Sequence, residues 1–123
     1  MSQEGRFSTD ELKQWIIEGI RSRKGKDILY LDLSAIENSV TDSFIICHGD
    51  STTQVAAIGD SVMQIVEEKL HEDVWHTEGY ENAQWVLLDY GSIVVHIFQK
   101  YYRDFYNLED LWADAKIQVI NEE

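Results

Sequence analysis

A chain of 123 residues that is 44% hydrophobic and 11% aromatic is long enough to bury one core without staples and too apolar to stay disordered. Its 23 Asp and Glu against 10 Lys and Arg give a net charge of -13, which repels phosphate backbones, argues against broad binding to naked nucleic acid and either favours a basic protein partner or only keeps the chain in solution. The single cysteine, Cys47, excludes an intrachain disulfide and fits a reducing cytoplasm; no apolar run approaches the length of a membrane span, and the first six residues lack the apolar stretch of a signal peptide.

Phe7 to Arg23 predicts a helix, because Ser8 and Glu11 form a capping box and Phe7 and Leu12 a hydrophobic staple. Leu12, Trp15, Ile16, Gly19 and Ile20 make its buried stripe. The basic run Arg21 to Lys26 that follows reads as a solvated helix end matched to the macrodipole before it reads as a phosphate site. Ile28–Leu33 and Ser43–His48 suit strands, with a polar loop between them. Ser51 and Gln54 predict a second capping box, opening a helix to about His71 with Val55, Ile58, Val62, Ile65, Val66 and Leu70 inward. Val74–Glu78 is a weak strand. Trp85 to Phe98 predicts a central hairpin of two apolar arms, covered on both faces, with Gly91 supplying positive φ at the turn. Lys100–Tyr106 reads as a turn or short helix, and Asn107 can cap a last helix holding Leu108, Leu111 and Trp112. The expected fold is an α/β (α+β) domain over residues 1–123 with a mixed five-stranded sheet flanked by helices. Its core spans about residues 7–115, ahead of a loose acidic tail.

The chemistry is sparse. His48, His71, His76 and His96 fall into no zinc spacing, and one cysteine builds no thiolate cluster, so neither metal nor cofactor is expected. Cys47 and His48 alternate across a strand and cannot pair, while Cys47 with His96 on a neighbouring strand stays open beside a cysteine that merely packs. Gly49-Asp50-Ser51, a strand end running into a helix start, could cradle a phosphate as nucleotidyl-transferring folds do. The paired acids that would hold two metal ions on the next strand are missing, and an ordinary capped helix start is the stronger reading. His96 reads as a satisfied core histidine ahead of a surface one. Tyr90 stands out as a large aromatic in an exposed turn, with Asp89 beside it as an acceptor for a partner arginine.

Several runs resemble the ribosomal silencing factor, or Iojap-like, family. They are Thr41-Asp42-Ser43-Phe44-Ile45-Ile46-Cys47-His48-Gly49, Gln54-Val55 with Ala57-Ile58 and Asp60, Glu78-Gly79, Ala83 to Gly91, Val94 to Phe98, and Arg103, Phe105-Tyr106, Leu108-Glu109 and Leu111-Trp112. The likeness covers about Gly25 to Trp112; Ser92 stands where the family is often acidic. The resemblance implies a nucleotidyltransferase-like fold without catalytic acids and a protein that is not an enzyme. It also implies binding to the large ribosomal subunit through its ribosomal protein number fourteen, which blocks joining of the small subunit and damps translation. The family is also seen as a homodimer. On this reading Trp85 and Tyr90 anchor the docking patch, Glu78, Asp89 and Glu109 supply acceptors, and His96 and Tyr106 brace or line it. The alternatives are a nucleotidyltransferase-like enzyme and a homodimeric adaptor acting away from ribosomes.

Overall fold

A computed structural model of the chain describes residues 7–39 and 41–120. Residues 1–6, which carry the signal-peptide reading, and the last three residues of the tail lie outside the described residues. Helix α1 runs Thr9–Ser22 and starts as the sequence predicts: Ser8 Oγ accepts from Glu11 N at 3.1 Å, and Glu11 Oε1 accepts from Ser8 N at 2.8 Å. Strands β1 (Lys26–Asp32) and β2 (Ser43–Gly49) follow, then α2 (Thr52–Leu70), β3 (His76–Glu78), β4 (Trp85–Asp89), β5 (Ile93–Gln99), α3 (Lys100–Tyr106), α4 (Leu108–Leu111) and β6 (Lys116–Val119).

The sheet order is β3-β4-β5-β2-β1-β6, with β2 and β5 parallel and every other pair antiparallel. The expected five strands become six. The described part of the tail is not loose, because Lys116–Val119 pairs with β1 in the register Leu29↔Val119 to Asp32↔Lys116. Nothing in its alternation announces a buried face, and all four of its residues are exposed; an existing strand edge, not a core, makes it a strand.

Period-2 alternation splits the sheet between two cores. Ile45 and Cys47 of β2, Val86 and Leu88 of β4, and Ile93, Val95 and Ile97 of β5 face a thick layer formed by α1 and α2. Ile46, Phe98 and Leu31 face a thinner layer of α3, α4 and their flanks, joined by half-buried Phe44, Trp85 and Trp112. The hairpin is central as expected, and Gly91 turns it at φ 88°. Of the two hairpin arms, β5 has the double-sided burial and β4 does not. On β4, Trp85 and Leu87 stay half-buried, because the thin layer does not extend over that strand.

Two caps differ from expectation. Ser51 Oγ does accept from Gln54 N at 3.0 Å, but the Gln54 side chain reaches past it to accept from Asp50 N at 2.7 Å. Asn107 sits at φ 49°, closing α3 as its left-handed C-cap; its amide donates to Asp110 Oδ2 at 2.7 Å and caps no backbone N–H of α4.

Candidate functional site

The half-covered end of β4 exposes one aromatic assembly. The Trp85 ring stacks on Phe98 of the neighbouring strand at 4.9 Å, and Tyr106, from the last turn of α3, tilts over it at 4.9 Å. Around this pair run two adjoining hollows. One, of about 350 Å³, is lined by Gly79, Glu81, Asn82, Gln84, Trp85 and Tyr106; the other, of about 220 Å³, by Glu78, Gly79, Trp85 and Leu87. Glu78 is paired across from Leu87, which puts its carboxylate on the Trp85 face. Acids line these hollows and no Lys or Arg does. Gly79 makes the geometry possible: its φ is 90°, and a Cβ there would come within 1.9 Å of the Trp85 carbonyl oxygen.

His96 holds the indole from behind. Trp85 Nε1 can only donate, so at 3.1 Å His96 Nδ1 is the acceptor and the imidazole is the neutral Nε2–H tautomer. His96 is only 5% exposed, in edge contact with Phe44 at 4.5 Å, and burial pushes its pKa down to about 4. Its Nε2 has no hydrogen-bond partner among the described residues.

The other expected patch residues lie elsewhere. Tyr90 is 4% exposed and packs in the α1/α2 core, since position 90 alternates to the face opposite Trp85. The exposed-turn reading of it is therefore corrected. Burial and the neighbouring acids Asp73 and Glu72 raise its phenol pKa above the ordinary value. Asp89 lies at the far end of β4 from Trp85, half-buried, where its Oδ1 accepts from Gly91 N at 2.8 Å and closes the turn. Glu109 is taken up internally by Arg103, which bonds its Oε2 through Nε at 3.1 Å and through Nη2 at 3.0 Å. Of the seven, Trp85, Tyr106, Glu78 and His96 come together.

Arg103 is the residue that sequence reasoning passed over as a binding element. It is 6% exposed, and its Nη1 donates to the Asp27 carbonyl at 2.8 Å, to Lys26 O at 3.4 Å and to His48 Nδ1 at 2.9 Å. It thus ties α3 to β1, β2 and α4, and so sets where Tyr106 stands. Because a guanidinium has no acceptor, His48 must be neutral; burial first and the Arg103 charge second hold its pKa below the ordinary value. An arginine between two aromatic runs carries no sign of burial in a single sequence. Phe44, by contrast, was findable, since strand alternation places it on the face of His48 and pairing with β5 brings it to His96.

Catalytic readings find little support in the geometry. Cys47 pairs with Ile97 and faces the α1/α2 core, on the side of the sheet opposite His96, and burial pushes its thiol up to about 12. At the Gly49–Ser51 junction the Gln54 side chain occupies the space a phosphate would need, and Asp50 bonds Lys26 at 2.9 Å. Among the described residues no three His, Cys, Asp or Glu are grouped to hold a metal, and no helix is long and apolar enough to cross a membrane.

Comparison with known proteins agrees with the motifs. The family model described as "Ribosomal silencing factor during starvation" matches residues 7–123. The chain belongs to the ribosomal silencing factor family. That family is one of regulators, not enzymes. A ribosomal silencing factor of Halalkalibacterium halodurans is 41% identical over 109 residues, covering 89% of this chain and 92% of that protein. A mouse relative, the mitochondrial assembly of ribosomal large subunit protein 1, is 28% identical over 100 residues, covering 80% of this chain and 43% of that protein. A crystal structure of a Chromobacterium violaceum protein superposes with a TM-score of 0.81 at 34% identity, over 94% of this chain and 96% of that one.

Proposed function

We propose that this member of the silencing factor family binds the large ribosomal subunit through its basic ribosomal protein number fourteen. By occupying that surface it blocks joining of the small subunit and represses translation. The observation that carries the reading is the Trp85–Tyr106 pair, left uncovered at the edge of an otherwise filled sheet face and flanked by Glu78 and Glu81. Paired aromatics at the centre of an acidic hollow suit a basic partner: the rings supply desolvated area and the carboxylates supply acceptors for its Arg and Lys. The name of the mouse relative refers to the same subunit. Inhibition needs occupancy only, with no rearrangement of either partner.

Co-sedimentation with separated subunits tests the reading. The wild-type chain sediments with large subunits and reduces their joining to small ones. In a chain that stays folded, Trp85→Ala weakens this by about thirtyfold or more, corresponding to about 2 kcal/mol. A folded Trp85→Ala chain that binds large subunits as the wild type does removes Trp85 from the interface. Normal subunit joining at saturating wild-type protein refutes the function.

A further inference from the structure

The basic run 21–26 is left unexplained by docking on a basic protein. Six of the ten Lys and Arg, namely Arg21, Arg23, Lys24, Lys26, Lys100 and Arg103, gather at the sheet end where α1 finishes and α3 begins. Asp27, Asp50, Asp104 and Glu109 lie at the same end, which leaves it slightly basic while the remainder of the chain is strongly acidic. Of these cations Lys26 is matched by Asp50, Lys100 by Asp104 and the buried Arg103 by Glu109. Arg23 and Lys24 are exposed and have no acid within bonding distance among the described residues.

Arg21 lies in the last turn of α1, Arg23 is its C-cap and Lys24 the residue after it, so the pair stands at the helix end with side chains that no acid among the described residues takes up. The backbone of this loop is tied to α2: Gln54 Nε2 donates to both Arg23 O at 3.0 Å and Lys24 O at 3.2 Å, and Gly25 N bonds Ile20 O at 2.9 Å. In that closing turn Lys24 holds φ 62°, the left-handed position at which helices ordinarily place glycine. Two residues on, the strand end at Lys26 is bonded by Arg103 of α3, and α3 leads through exposed Phe105, 5.1 Å from Tyr106, to the docking hollow.

We infer that Arg23 and Lys24 form a second contact surface that binds phosphate groups of ribosomal RNA beside the docked ribosomal protein. The inference rests on the docking reading above. An acidic molecule with one basic end is repelled by RNA in most orientations and accepted in one, so the pair orients the protein on the subunit as well as adding affinity. The contact is to backbone phosphate and reads no sequence.

The test is a salt series of binding to purified large subunits, and to isolated ribosomal protein number fourteen, by the wild-type chain, by Arg23→Gln/Lys24→Gly, and by Trp85→Ala. Each lost phosphate contact lowers the slope of log affinity against log salt by about 0.7 to 0.9. The double variant therefore shows a slope shallower by about 1.5 and about tenfold weaker binding to subunits at low salt, with unchanged affinity for the isolated protein. Lys24→Gly relieves the left-handed strain, so thermal stability holds or rises while subunit binding falls, which a structural role would not produce. A double variant with wild-type affinity and slope overturns the inference. Equal weakening toward subunits and the isolated protein also overturns it, in favour of an acidic protein contact. Loss of the inference leaves Trp85→Ala to judge the docking reading; a wild-type chain that binds no subunits overturns both.

Discussion

Acidification should unfold this protein partly through one imidazole. His96 is buried and neutral, with its pKa pushed from 6.5 to about 4. The unfolded chain takes up a proton on this group below about pH 6.5 while the folded chain does not, so stability falls with pH across that window and the loss is complete below about pH 4. At about 1.4 kcal/mol per unit the whole depression is worth about 3.5 kcal/mol, of which about 2.5 kcal/mol is lost between pH 7 and about pH 4.5. Urea unfolding followed by tryptophan fluorescence at these two pH values measures the change. His96→Leu supplies the comparison, since His48 and the carboxylates contribute equally to both chains. The wild type should lose about 2.5 kcal/mol more than the variant, whatever the offset at neutral pH. An equal loss in the two chains, or a His96 resonance that titrates near its ordinary value in the folded state, would refute the assignment of this proton to a buried neutral histidine.

Arg103→Gln removes a buried cation from the Asp27 carbonyl, His48 Nδ1 and the Glu109 carboxylate, and should cost about 3 kcal/mol or more in urea unfolding. Arg103→Lys should recover only part of this, since a point charge cannot serve three directions. Gly79→Ala forces a Cβ toward the Trp85 carbonyl at a positive φ. It should cost about 2 kcal/mol and weaken subunit binding beyond its effect on stability, measured on protein kept folded well below its melting temperature.

The helices and inner strands were legible because their signals are local. The Ser8/Glu11 box, the stripe from Leu12 to Ile20 and the apolar runs of β2 and β5 each specify an element without reference to the rest of the chain. Strand β6 was not legible, as its exposed residues become a strand only when the β1 edge is available. In the site, Trp85 and Tyr106 could be anticipated, yet Tyr90 could not be told from them: one step along a strand reverses the face, and only the packed structure says which face a helix layer covers. Glu109 was misassigned for a related reason, because its neutralising partner, Arg103, gives no sign of burial in the sequence. The same uncertainty left the role of His96 divided between core and patch; the structure buries its ring and has its Nδ1 accept from the half-buried Trp85 indole.

That seating has a consequence for molecular discrimination. Since the indole N–H is already engaged inward, a partner docked as proposed meets only the carbon rim and π-cloud of Trp85, and can be sorted by contour alone at that point. Finer selectivity must then come from the rim, through Gln84, the carboxylates and the Tyr106 hydroxyl. A library varying those positions, with Trp85 and His96 left untouched, is where changed partner preference should be sought.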